Sequence, residues 1–124
     1  MKLEHIAIWT NQLDVMKAFY CKYFNGISGQ KYSNEVKHFE SYFISFDSGA
    51  RVELMTKMNL EKSFMPAVGI AHLAFSVGSK EEVDRLTEVI KRDGYQTTQP
   101  RTTGDGYYES TIKDPDGNII EITI

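Results

Sequence analysis

Glu4-His5-Ile6-Ala7-Ile8 is echoed by Ala71-His72-Leu73-Ala74-Phe75, with the two histidines 67 residues apart. Outward from this pair the echo continues at an offset of 68. Asn11 and Ser79 stand at helix starts, and Asn25-Gly26 and Asp93-Gly94 follow helix ends. Gly49 matches Gly117, and Val52-Glu53-Leu54 matches Ile120-Glu121-Ile122. One register kept along the chain with a single one-residue slip indicates internal duplication.

Each copy carries the same sequence of patterns. Residues 3–10 and 70–77 alternate as strands do. Leu13, Met16, Tyr20, Tyr23 and Phe24 recur at helical spacing within 12–24, and Val83, Leu86, Val89 and Ile90 do so within 80–92. Ser79 with Glu82 three residues on forms a capping-box pattern. Gly26 and Gly94 suit the left-handed position after a helix. Three strands are then expected in each copy, at 27–33, 38–46 and 50–56 and at 95–100, 107–113 and 118–123, with Ser48-Gly49 and Asp116-Gly117 as hairpin turns. The expected fold class is α+β. A single domain, 1–124, consists of two βαβββ modules, 1–57 and 70–124, joined by a connector at 58–69.

A length of 124 residues, 41% hydrophobic and 25% charged, suits one globular domain and argues against a disordered chain. The net charge of −3 and the lack of a basic stripe argue against a nucleic-acid partner. No apolar run approaches the ~18 residues of a membrane span, and none near Met1 resembles a signal peptide. The single cysteine, Cys21, fits a reducing compartment, so a cytoplasmic location is expected. Cys21 falls in the helical apolar pattern and is expected in the core rather than as a nucleophile.

Period-2 geometry decides which side chains share a strand face. Ile6 and Ile8 face the helix, whereas His5, Ala7 and Trp9 face away; Leu73 and Phe75 likewise oppose His72 and Ala74. In the closing strands, Val52 and Leu54 oppose Arg51, Glu53 and Met55, and Ile120 and Ile122 oppose Glu121. His5, Glu53, His72 and Glu121 are therefore all expected on the face away from the helices, the concave side of curved mixed sheets enclosing a metal-binding cavity. A single strand Glu is ordinarily solvated, and a single His ordinarily structural. Here the pair recurs in both copies at separations of 48 and 49 residues, and the convergence favours metal ligation.

Two neutral imidazoles and two carboxylates neutralise a divalent ion and leave coordination positions open. Such N/O donors suit Zn²⁺ or Ni²⁺ first, with Co²⁺, Fe²⁺ or Mn²⁺ as alternatives, and the absence of thiolates disfavours a structural zinc site. An ion held this way can polarise a substrate carbonyl or hydroxyl oxygen. A loosely bound Glu would then serve as base toward a neighbouring C–H.

The paired modules, the His-x-Ala-x strand openings and the ending Asp114-Pro115-Asp116-Gly117-Asn118-Ile119-Ile120-Glu121 resemble the glyoxalase / bleomycin-resistance / extradiol-dioxygenase (vicinal oxygen chelate) superfamily over essentially the whole chain. The ligand order His, Glu, His, Glu resembles lactoylglutathione lyase (glyoxalase I), which isomerises the hemithioacetal of methylglyoxal and glutathione. That resemblance implies a metal-dependent lyase or isomerase that enolises a small oxygenated substrate. Glu121 would be the leading base and Glu53 its symmetry-related partner, in a homodimer. Extradiol dioxygenases resemble the chain less, because they use two His and one Glu. Methylmalonyl-CoA epimerase resembles it closely but carries Gln where Glu53 stands. Bacterial glyoxalase I has an Arg four residues after its first metal His and an Asn four after its first metal Glu, and both help hold glutathione; those positions are Trp9 and Lys57 here. Alternative activities on the same scaffold are dioxygenase, epimerase or thiol transferase chemistry, or metal-free binding of a drug.

Candidate pocket residues are Trp9, Arg51, Met55 and Tyr107. Arg51 suits an anionic substrate or a salt-bridged strand charge. The loop Arg101 to Glu109 suits a lid or, slightly better, an ordinary hairpin. Phe64-Met65-Pro66 suits a pocket wall, or a core or dimer contact.

Overall fold

A computed structural model of the chain describes residues 3–62, 68–104 and 106–124. The chain divides into two compact units, Met1–Ser63 and Phe64–Ile124. The first contains β1 (His5–Trp9), α1 (Leu13–Tyr23), β2 (Ile27–Ser28), β3 (Tyr32–Asn34), β4 (Phe39–Ser45) and β5 (Arg51–Lys57). The second contains β6 (Leu73–Ser76), α2 (Lys80–Arg92), β7 (Arg101–Thr102), β8 (Tyr108–Lys113) and β9 (Ile119–Thr123). The expected α+β class of duplicated modules is what forms. Each unit builds an open sheet, β1-β5-β4-β2 with β3 also on β4, and β6-β9-β8-β7. In both, the opening strand runs parallel to the closing strand, β1 on β5 and β6 on β9, while the remaining pairs are antiparallel. Among the described residues no helix is long and apolar enough to cross a membrane.

Each helix buries its apolar stripe on one sheet face. In the first unit Leu13, Met16, Phe19, Tyr20 and Tyr23 of α1 are buried, as are Tyr42, Ile44, Val52 and Leu54 of the sheet. In the second, Val83, Leu86, Thr87 and Ile90 of α2 are buried with Ser110, Ile112, Ile120 and Ile122. Burial alternates along β5 and β9, which leaves Glu53 and Glu121 on the opposite faces. Ser79 caps α2 as its pattern requires, its hydroxyl accepting from the Glu82 amide at 3.2 Å. Cys21 is half-buried rather than fully in the core.

Several boundaries differ from expectation. The strand expected at 27–33 splits into β2 and β3 around Gly29-Gln30, since glycine weakens a strand interior. The strand expected at 95–100 does not form: Thr97 makes an isolated bridge to Ile112, and pairing resumes in β7. Thr98 puts its side chain into the ladder, its hydroxyl accepting from the Thr111 amide at 2.9 Å, and Pro100 has no amide hydrogen to offer. The strand expected from residue 70 starts at Leu73, so His72 lies just before β6. After α1 the left-handed residue is Asn25 (φ 53) rather than Gly26, whereas Gly94 (φ 94) takes that conformation after α2. Gly26 has a different reason to be glycine: a Cβ there would stand 2.4 Å from Ile44 Cγ2.

Candidate metal-ligand pairs

The parallel pairing of β1 with β5 sets Ala7 opposite Glu53, and that of β6 with β9 sets Ala74 opposite Glu121. His5, two residues before Ala7 within β1, shares a face with Glu53 by strand alternation, and His72, just before β6, reaches the same side as Glu121. In the first unit His5 Nε2 stands 3.9 Å from Glu53 Oε2; in the second His72 Nε2 stands 3.3 Å from Glu121 Oε2. The carboxylates are the more sheltered partners, with 16% and 21% of the side chain exposed against 39% and 43% for the imidazoles.

Two donors at ~2.1 Å from a shared ion, at angles between octahedral and tetrahedral, lie about 3.0–3.4 Å apart. The His72–Glu121 pair already has that spacing, and His5–Glu53, at 3.9 Å, needs to close by about half an ångström or more. The imidazole and carboxylate of each pair therefore suit two ligand positions on a borderline divalent ion. Among the described residues no three His, Cys, Asp or Glu groups gather to hold one, so each unit offers two donors.

The surroundings of the two pairs differ. His5 Nδ1 contacts Glu4 Oε2, and the other Glu4 oxygen contacts Arg51 Nη2. The guanidinium of Arg51 lies 4.1 Å from the centre of the Phe43 ring, and the His5 ring meets the same phenyl edge-on at 5.4 Å. The Glu4 carboxyl is held below the usual carboxylate range, first by its hydrogen bond with His5, against some desolvation, and then by Arg51. Arg51 is thus engaged within its own strand pair. Neither Glu4 nor Phe43 stands out in the sequence. The available signal was a carboxylate adjacent to a ligand-type histidine, and the register that sets Phe43 opposite Glu53.

Trp9, opposite Met55 in the register, is 46% exposed. Phe39 meets its ring edge-on at 6.1 Å, and Lys57 Nζ lies 4.8 Å from its centre. Met55 is half-buried beside it. A groove of about 380 Å³ opens at this end of the sheet, with Phe39 and Lys57 in its wall. Tyr107 is 55% exposed at the far end of β8 from Thr111, the residue opposite Glu121. It closes a hairpin, its carbonyl accepting from the Thr103 amide at 2.8 Å, while the Gly106 amide bonds the Thr103 carbonyl at 3.0 Å. Phe64-Met65-Pro66 and Asp105 lie outside the described residues.

The uncharacterised protein YqjT of Bacillus subtilis is 39% identical over 59 residues, which cover 44% of this chain and 46% of that protein. The match thus spans about half of that relative. Among solved structures, a glyoxalase/bleomycin resistance protein/dioxygenase domain from Frankia superposes with a TM-score of 0.85 at 17% identity, over 99% of this chain and 90% of that one. Glyoxalase I from Zea mays superposes with a TM-score of 0.83 at 23% identity, over 98% of this chain but 44% of the longer maize chain. A family model matches residues 2–122, and with it the chain belongs to the Glyoxalase/Bleomycin resistance protein/Dioxygenase superfamily.

Proposed function

We propose that His5, Glu53, His72 and Glu121 ligate one divalent metal ion, and that the chain is a lyase or isomerase of the glyoxalase I type. The observation that carries this reading is the recurrence of one imidazole–carboxylate pair at the same register in both units, at 3.9 and 3.3 Å. Zn²⁺ or Ni²⁺ suits the donors first, then Co²⁺, Fe²⁺ or Mn²⁺. When bound, the ion supplies Lewis-acid polarisation of a substrate oxygen. Glu121 then accepts at a carboxylate oxygen the C–H proton of a hydroxyl-bearing carbon next to a carbonyl and returns it to the carbonyl carbon, while the hydroxyl proton passes to the former carbonyl oxygen, which isomerises the substrate. Glu53 holds the equivalent place in the first unit and supplies the second carboxylate.

The substrate class is a small oxygenated molecule, with a methylglyoxal–thiol adduct as the leading case. Trp9 and Lys57 offer an aromatic face and a cation where bacterial glyoxalase I carries Arg and Asn. Assembly as a homodimer and residence in the cytoplasm complete the proposal.

Metal analysis of the purified protein is the direct test. About one divalent ion per chain is expected for the wild type, and a clear loss in His72→Ala and Glu121→Ala. Equal metal content in all three proteins would sink the ligand assignment. Failure to turn over methylglyoxal–glutathione adduct with Zn²⁺, Ni²⁺ or Co²⁺ would sink the glyoxalase form of the activity while leaving the metal site intact.

A further inference from the structure

We infer that Glu4 is a positioning residue that fixes the tautomer of His5 and aims its Nε2 lone pair at the side of the sheet where Glu53 stands, so that the first unit is the preset half of the metal site. The inference rests on the reading of His5 as a metal ligand. A carboxylate can only accept a hydrogen bond, so the imidazole nitrogen that contacts Glu4, Nδ1, must carry the hydrogen. In the neutral imidazole, the form that can bind a metal, that leaves Nε2, 3.9 Å from Glu53, as the bare nitrogen. Arg51 holds the other Glu4 oxygen, and its backbone amide bonds the Glu4 carbonyl at 3.0 Å, so the carboxylate is anchored at both its backbone and its side chain. Phe43 presents one ring to both the imidazole edge and the guanidinium. Three residues thus brace one histidine, the arrangement by which a carboxylate behind an imidazole orients it toward a metal.

The second unit has none of these residues at the matching places. Ala71 precedes His72, Ile119 stands where Arg51 does, and Thr111, opposite Glu121, stands where Phe43 does. His72 therefore serves as an internal control for any experiment on His5. Arg51 also acquires a role, as the clamp on Glu4, that does not need an anionic substrate.

Nitrogen-15 NMR of the metal-free protein, at a pH well above the ordinary imidazole value of about 6.5, reports each neutral histidine tautomer separately. Wild-type His5 is expected in the Nδ1–H form. Glu4→Ala should let it relax toward the Nε2–H form that free histidine prefers, while Glu4→Gln, which keeps an acceptor oxygen, should retain part of the bias. The His72 signals should stay in place in both variants. Competition titration with Zn²⁺ alone should show Glu4→Ala binding about 10-fold more weakly or worse, with an unchanged melting temperature. A wild-type His5 in the Nε2–H form, or one that Glu4→Ala leaves unmoved, overturns the inference. So does a Zn²⁺ affinity that Glu4→Ala does not alter. A wild type that takes up no Zn²⁺ while His5 holds its Nδ1–H form sinks the metal reading instead, and the tautomer lock stands.

Discussion

The two units descend from one strand plan, and they keep the pairing that sets a carboxylate beside a histidine while differing in nearly everything that supports it. The first packs α1 through aromatic rings, with Phe19 and Tyr20 edge-on at 5.5 Å and Phe19 and Tyr23 at 5.0 Å. The second packs α2 through aliphatic side chains and a buried hydroxyl pair, Thr87 Oγ1 to Ser110 Oγ at 2.6 Å. The first braces its histidine with Glu4, Arg51 and Phe43; the second leaves His72 at the entry to β6. Core composition has drifted because many side-chain sets fill the same volume. The register Ala7–Glu53 and Ala74–Glu121 has not drifted, because a one-residue slip would send each carboxylate into the helix-covered face.

The sharpest way to break the symmetry between the units is to neutralise one carboxylate at a time. With Glu121 as base, Glu121→Gln should lower kcat by about 10²–10⁴-fold. Glu53→Gln should act mainly through weaker metal binding and recover when excess metal is supplied. Steady-state turnover across a metal titration separates the two. Equal kcat losses at saturating metal would show that neither carboxylate is the base by itself.

Much of this was legible from residue patterns, and the reasons are local. Ser79 with Glu82 marks the start of α2 because the cap is a short-range bond that two residue types nearly specify. The histidine–carboxylate pairs were legible because duplication repeats them and period 2 fixes their face. Residues 95–100 look like a strand by composition, but Thr98 exchanges a backbone ladder bond for a side-chain one, and no pattern announces that. Glu4 was hidden for a related reason. Neighbours in a strand point to opposite faces, which would part Glu4 from His5. Glu4, however, lies just before β1, where that alternation has not begun. Gly26 and Gly94 look equivalent in sequence and are not, since one relieves crowding and the other a dihedral.

That pair of glycines gives a finer test of how far the units have diverged. Gly26→Ala would thrust a Cβ against Ile44 Cγ2 and the Tyr20 carbonyl, the latter at 3.1 Å, and Ile44 is fully buried. Overpacking of this kind costs about 1–3 kcal/mol. Gly94→Ala meets open space and only the φ of +94, so its cost is conformational, about 1 kcal/mol. Denaturant unfolding of the single and double variants distinguishes these causes. Ile44→Ala should partly relieve Gly26→Ala, giving a double variant less destabilised than the two costs combined, and should simply add to Gly94→Ala. Additivity in both combinations would contradict the steric account of Gly26.

The smallest effect concerns a tie that both units make with the same two residue types, and it should respond to pH in opposite directions. In the first unit Tyr42 donates from β4 to Asp14 of α1 at 2.9 Å; in the second Tyr108 donates from β8 to Asp84 of α2 at 2.7 Å. The Tyr42 bond holds the Asp14 carboxyl below its ordinary range, opposed by some desolvation and helped by Lys31 and Lys17. A carboxyl lowered on folding adds stability above the unfolded value of about 3.9 and loses it as pH falls through the lower folded value. In the second unit the Asp84 bond raises the Tyr108 phenol, with desolvation acting in the same direction. A phenol raised on folding adds stability below about pH 10 and loses it as pH rises through the higher folded value. Asp14→Asn should therefore melt slightly below wild type at neutral pH and converge with it in acid. Tyr108→Phe should show its small deficit at neutral pH and converge in alkali. Asp14 is largely open to solvent, whereas Tyr108 is half-buried, so high salt should shrink the Asp14 difference in particular, where two lysines contribute. A deficit for Asp14→Asn that grows on acidification would mean the carboxyl is not lowered in the folded chain, and the Tyr42 bond would not be the tie between α1 and its sheet.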